Sequence, residues 1–484
     1  MDLDVNVNEK VYHWSAFIIA FTCNEIEIFD ANDNSIIYMI CFIKEKGWRF
    51  IMIKNLKIVK LFGRFDYNIK FNDKGILIIT GPNGFGKSTI LRMIDDFCNG
   101  SMSDLFSKYR FKSFEIKTQN SKIKLTILSE KYKINDLLIP KRDIELFDFI
   151  LEGKSFSPIS KMKSEFEYNK VRMMYNRLRQ DRRFTNQEVD NFLFNDEKKE
   201  KAVPEYSETV NAIKLLREEI GDVSFIQEQR LIEKKIIDEE YDMFSENQVE
   251  YHKVINEKSD NLKKMLYDIM RKHSIISSEL DSTYVRRLFD ENAPKINNIE
   301  KSLNSLYEKQ EKLEKYGLSE LKNVQIFNKL DKKKMSTFEK ELRIYINDAN
   351  TKYNVFSDII DKLELYERIV NRKLKFKQMI LSSANGITIL SDEGVMLDLA
   401  NLSSGEQEII VLFYKLIFES DVNLLLIDEP EISLHIAWQK EILDDFKSII
   451  KLNQNMRLII ATHSPQVISN NWDLQVDLGE QYEW

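Results

Sequence analysis

The 484-residue chain is poor in cysteine, with only Cys23, Cys41 and Cys98. The number is odd and no CxxC spacing occurs, so neither a disulfide framework nor a zinc site is supported, and a reducing cytoplasm is the expected compartment. Long hydrophobic runs are lacking as well. The most apolar early run, residues 14–23, is well short of the roughly twenty residues that span a bilayer. Asp2, Asp4 and Glu9 precede it where a secretory signal would carry basic residues, so neither a signal peptide nor a membrane partner is expected. Positive charge is not in excess either. The formal net charge is −7, so any DNA or RNA contact has to be a local basic patch. Glycine and proline are almost absent from residues 236–380, which leaves that third of the chain free to be helical.

What is present is a composition of 43% hydrophobic and 31% charged residues, which suits globular cores joined to long polar helices. The stretch GPNGFGKS at residues 81–88 follows the apolar run GILIIT and precedes the helix-like TILRMI. An apolar strand, a glycine-rich loop ending in Gly-Lys-Ser and a helix start form the context of a phosphate-binding P-loop. Successive backbone N–H groups and the positive end of the helix dipole cradle phosphate oxygens there. Asn83, Gly84, Gly86, Lys87, Ser88 and Thr89 are the candidate nucleotide-binding residues. Lys87 brings a point charge to the β- and γ-phosphates, and Ser88 brings a hydroxyl to Mg²⁺.

In chain order, residues 1–51 read as a β-rich extension with a hairpin around the Asn/Asp-rich residues 30–34. They are either an accessory extension or translation from an upstream start. Residues 52–235 form the first lobe of a nucleotide-binding head, and residues 111–118 and 122–134 carry apolar side chains at period two, as in an antiparallel sheet. Residues 154–183 are rich in Lys and Arg, including Arg177, Arg179, Arg182 and Arg183, with Phe166, Tyr168 and Tyr175 interleaved. Such a run is either a solvated helical face or a nucleic-acid contact. The apolar run from residue 222 ends in glutamines. Gln227 and Gln229 are both candidates to ligand Mg²⁺ and orient the attacking water. In residues 236–380, Ile255, Leu262, Leu266, Ile269, Ile276 and Leu280 fall on alternating four and three spacings, a heptad seam. After a break at residues 290–294, Ile299, Leu303, Leu306 and Leu313 repeat the spacing. An antiparallel coiled-coil hairpin follows, with arms of about fifty residues, on the order of 75 Å if straight, and Gly317 with the weaker pattern beyond it marks an interruption.

Residues 381–484 carry the second half of the nucleotide site: NLSSGEQE at 401–408, NLLLIDEP at 423–430, EISLH at 431–435 and RLIIATHSP at 457–465. Asp428 ends a buried strand, where its carboxylate meets the Mg²⁺ shell beside Ser88. Glu429, next along, is placed to polarise water in line with the γ-phosphate, and His463 to donate to that phosphate.

The P-loop, LSSGEQE, LLLIDEP, ISLH and THSP, in this order, resemble an ABC-type ATPase head of the SMC and overcoming-lysogenization-defect group. The expected fold is therefore α/β: a P-loop head with an antiparallel β-subdomain and a helical hairpin insertion. The resemblance implies ATP and Mg²⁺ as cofactors. It also implies that Ser403, Ser404, Gly405 and Glu406 form a signature motif capping the γ-phosphate held by a second copy, in a head-to-tail dimer or larger assembly. Residues 433–435 look like the D-loop crossing that interface, with His435 in place of the usual Asp. Arg64 lies where related heads keep a basic residue near the nucleotide. LSSGEQE, LIDEPEISLHIAWQ and ATHSPQVI are closer still to ATPase subunits of bacterial anti-phage systems, of the PtuA type in Septu and retrons and the AriA type in PARIS. That resemblance implies a sensor or scaffold controlling a separate nuclease, HNH or TOPRIM, since only about twenty residues follow His463. DNA, RNA or a phage protein is the implied trigger. The alternative is an SMC-like DNA-repair or chromosome-maintenance ATPase.

Overall fold

Four apolar residues in a row with no polar alternation belong in a sheet covered on both faces. Ile76–Thr80 and Leu424–Asp428 each open with such a run, and both are buried at every position. The structure, a computed structural model, describes residues 53–72, 74–152, 204–228, 231–236, 249–289, 296, 298–319, 337–453 and 455–482, and the strands between residues 5 and 39. The chain divides into two units, residues 1–50 and 51–484. The basic stretch 154–183 and Gln229 lie outside the described residues.

In the first unit, Val5–Val7 pairs antiparallel with Lys10–Tyr12, and Phe17–Thr22, Glu25–Asp30 and Ile36–Met39 form a three-stranded antiparallel meander.

The second unit is built on a five-stranded parallel sheet in the order Val223–Ile226, Leu424–Asp428, Arg457–Ala461, Ile76–Thr80, Gln475–Asp477. The period-two side-chain alternation of its strands divides the molecule into two cores. Ile76, Ile78, Leu425, Ile427, Leu458 and Ile460 face one core, made with the signature helix Ser404–Phe418 and the helix Ser357–Lys373. Leu77, Ile79, Leu424, Leu426, Ile459 and Ala461 face the other, made with the P-loop helix Lys87–Asn99 and the second sheet. Truncating one of these buried Leu or Ile side chains to Ala costs about 2–5 kcal/mol.

The second sheet is antiparallel, in the order Leu137–Pro140, Lys131–Ile134, Lys122–Ile127, Ser113–Lys117, Asn55–Leu61, Phe65–Lys70. The single period-two run read at 122–134 is two strands. Leu128 N–H donates to the Lys131 carbonyl at 2.9 Å, closing a hairpin turn that the unbroken alternation concealed.

The helical insertion starts with Val254–Phe289, 36 residues long. Among the described residues, its chain return includes the helices Ile299–Lys315, Glu339–Asn354 and Ser357–Lys373. The helix of the first arm is 36 residues, about 54 Å at 1.5 Å per residue, where about fifty residues were expected. The root of the long helix is fixed to the head: Ser259 Oγ accepts from Ile387 N–H at 3.0 Å, and Lys258 pairs with Glu419 at 2.8 Å. Gly386 has φ of +66°, and a Cβ there would meet the Ser259 carbonyl oxygen at 2.4 Å, so only glycine lets strand and helix approach this closely. Farther out, the seam packs His273 against Phe356, with ring centroids 4.8 Å apart. The strand Lys377–Ser382 straddles the expected boundary at residue 380.

Candidate active site

Register gathers the separated motifs at one sheet edge. Ile226 pairs with Ile427, Asp428 with Ala461, and Ala461 with Ile79, so the residues that follow, 228, 429, 462 and 80, leave the sheet side by side. This is the carboxyl end of a parallel sheet, where open α/β folds form their ligand crevices.

The loop after Ile76–Thr80 turns on glycines at Gly81 (φ +142°), Gly84 (φ +86°) and Gly86 (φ +89°). Gly86 caps the helix Lys87–Asn99, whose first turn carries no acidic residue, so the dipole's positive end faces the loop unopposed. Asn83 and Gly84 are exposed at the turn, and Thr89 is half-buried in the first helical turn. Lys87 is buried, and its Nζ donates to the Gly81 carbonyl at 2.9 Å, which holds the loop closed.

Ser88 Oγ donates to Asp428 Oδ1 at 2.9 Å, joining residues 340 positions apart. Asp428 has no solvent exposure. Its burial raises the carboxyl's pKa, and the bond from Ser88 opposes the shift. A hydroxyl and a carboxylate in contact beside a glycine loop and a lysine form a donor set that fits Mg²⁺ bound to a nucleotide polyphosphate.

Glu429 follows with φ of +43°, a left-handed conformation that costs a non-glycine residue about 1–3 kcal/mol. Its N–H donates to the Ala461 carbonyl at 2.9 Å, and its carboxylate reaches the loop after Arg457–Ala461, where Oε2 lies 2.5 Å from His463 Nδ1. Lys87 Nζ is 3.9 Å from the other carboxylate oxygen. Burial, and after it the neighbouring Glu431 carboxyl, pushes Glu429 up to about 7, with His463 opposing. The ligand atoms of Glu429, Glu431 and His463 lie within 4.8 Å of one another. Glu431 and its partners, Thr462 and Gln439, were not read from the sequence. Only the repeated carboxylate of DEPE marked the position.

Gln227 directly follows its strand and is exposed. Arg64 lies in the turn between Asn55–Leu61 and Phe65–Lys70, and lines a groove of about 880 Å³ with Lys57, Lys60, Tyr67, Gln481 and Tyr482. Phe85 of the P-loop packs against Phe65 (4.9 Å) and Tyr482 (6.0 Å), an aromatic cluster the sequence reading missed.

Residues 403–406 lie at the start of the helix Ser404–Phe418, with Gly405 against the turn 429–434. Ser403 caps the helix Ser404–Phe418 in a reciprocal capping box with Glu406. Burial would raise the Glu406 carboxyl, but bonds from Lys377 and Ser403 outweigh it and hold the group below its usual range. A Cβ on Gly405 would meet the Ser433 carbonyl oxygen at 2.7 Å, so the signature glycine is required by its contact with the turn. Ser403 and Ser404 are exposed. His435 caps the next helix, Ile436–Leu452, its Nδ1 accepting from Ala437 N–H at 3.2 Å.

Fold and site together define a P-loop ATPase head of mixed α/β type with an antiparallel sheet and a helical insertion. The AAA ATPase domain family matches residues 51–468, and the chain belongs to it. No curated protein matches the chain. Among solved structures, it is similar to an Smc head domain with an extended coiled coil, bound to the C-terminal domain of ScpA, from Pyrococcus furiosus. Identity is 15% over 87% of this chain and 91% of that one, with a TM-score of 0.36. An Smc head domain with a coiled coil and joint from Pyrococcus yayanosii shows 16% identity over 87% and 93%, with a TM-score of 0.33. Likeness at this level assigns neither activity nor partner. Among the described residues, no helix is long and apolar enough to cross a membrane.

Proposed function

We propose that the chain hydrolyses ATP at this site, and that two copies close head to tail so that each signature completes the other's nucleotide pocket. The carrying observation is the convergence on one sheet edge of the Ser88–Asp428 contact and the Glu429–His463 contact. In this reading Asn83, Gly84, Gly86, Lys87 and Thr89 hold the phosphates. Ser88 and Asp428, with Gln227 or Gln229, hold Mg²⁺, which neutralises phosphate charge. Glu429 takes a proton from the attacking water, and His463 keeps its carboxylate oriented while donating toward the γ-phosphate. The exposed Ser403 and Ser404, with Gly405 and Glu406, bring the positive end of the helix Ser404–Phe418 to a nucleotide on another chain. Arg64, in the turn before Phe65–Lys70, is read as the basic residue near the nucleotide of its own head.

At the level of biology, the motif resemblance supports a sensor or scaffold subunit of an anti-phage complex, with nuclease activity carried by a separate HNH or TOPRIM protein. Co-expression with the genomic neighbour tests this. A nuclease retained through purification supports the assignment, and a chain that dimerises on ATP but ignores the neighbour favours the repair-type alternative.

A further inference from the structure

Glu431 lies two residues past the proposed base and is 4% exposed. The turn that carries it is closed by Ile432 N–H on the Glu429 carbonyl at 3.2 Å and by Leu434 N–H on the Glu431 carbonyl at 3.0 Å. Its Oε1 is the meeting point of the opposite loop. It accepts from the Thr462 hydroxyl, from His463 N–H at 3.2 Å and from Ser464 N–H at 3.2 Å, and it lies 3.5 Å from His463 Nδ1. Gln439 fastens the same two segments from the other side, donating to the Leu434 carbonyl at 2.9 Å and accepting from Ser464 Oγ at 2.9 Å. A buried carboxylate is tolerated only where donors converge on it, and here the donors come from one loop, 31 to 33 residues away in sequence.

We infer that Glu431 is a positioning residue for hydrolysis. It pins residues 462–464 so that the His463 imidazole meets the Glu429 carboxylate, which sits on a turn with φ of +43° and reaches His463 through its side-chain tip. This rests on the reading of Glu429 as the base. Without the pin the loop keeps its strand but loses the fixed distance between imidazole and carboxylate, and positioning errors of this kind cost rate more than affinity.

Full-length Glu431→Ala, Glu431→Gln and Glu429→Gln are compared for ATP turnover, affinity for a fluorescent ATP analogue with Mg²⁺, and melting temperature. Glu431→Ala is expected to lose at least about tenfold in kcat with affinity within about twofold of wild type. Glu431→Gln, which retains one acceptor oxygen for the three donors, is expected to recover most of the rate, as a merely structural role would not require. If Glu431→Ala does not fold, Thr462→Val removes one of the three donors at nearly constant volume and is expected to lower kcat in the same selective way. Wild-type turnover in Glu431→Ala, or equal loss of rate and affinity in both Glu431 variants, overturns the inference while loss of turnover in Glu429→Gln leaves the base assignment standing. Wild-type turnover in Glu429→Gln overturns that assignment itself.

Discussion

His463 Nδ1 lies 2.5 Å from Glu429 Oε2, although the two residues are 34 positions apart and leave the sheet from neighbouring strands. The contact exists because Asp428 and Ala461 are in register, which brings the residues that follow them to the same edge. Glu429→Gln keeps this geometry and removes the base. Turnover should fall by on the order of 100-fold or more while ATP remains bound, measured as phosphate release beside retained nucleotide.

Ser88→Ala removes the hydroxyl that touches Asp428 and leaves a buried carboxylate facing the site. The Mg²⁺ concentration for half-maximal hydrolysis should rise by about tenfold or more, read from a Mg²⁺ titration at fixed ATP.

Gly86→Ala meets two obstacles, φ of +89° and a Cβ 2.8 Å from Leu61 Cδ2. The leucine methyl can give way, but the backbone cannot, at a cost of about 1–3 kcal/mol. Weaker ATP binding with a melting temperature lowered only slightly is the expected result, because the strain falls on a loop between an intact strand and helix.

His273, half-buried against Phe356, has its pKa lowered below 6.5, by burial first and by Lys352 second. The unfolded chain therefore binds the extra proton more readily than the folded one. Stability from this site is complete above 6.5 and is lost as pH falls from there toward the lower folded value. Melting temperatures of wild type and His273→Gln, compared at about pH 7.5 and about pH 5.5, should show a steeper acid loss in the wild type.

The sequence made legible what depends on short range. The P-loop showed because glycines at fixed offsets follow an apolar run, and Asp428 showed because an all-buried strand such as Leu424–Asp428 cannot carry a carboxylate except at its end. The heptad spacing likewise found the face of Val254–Phe289 that carries the buried Leu262 and Leu266 and, farther out, His273. Long-range pairing was not legible. Nothing local to Glu431 shows that Thr462, His463 and Ser464 converge on it, and nothing local to Phe85 shows Tyr482 packing on it, almost 400 positions on. The first arm was read too long for a related reason. Apolar spacing fixes which face of Val254–Phe289 packs and not where the helix ends.

The most direct test of the composite site is the mass of Glu429→Gln in solution, measured by light scattering with and without ATP and Mg²⁺. Two heads closing over nucleotide predict a species of at least twice the single-chain mass that depends on ATP, or a constitutive assembly that ATP tightens and that Ser403→Arg weakens. A single-chain mass at saturating ATP, with nucleotide demonstrably bound, would contradict the account.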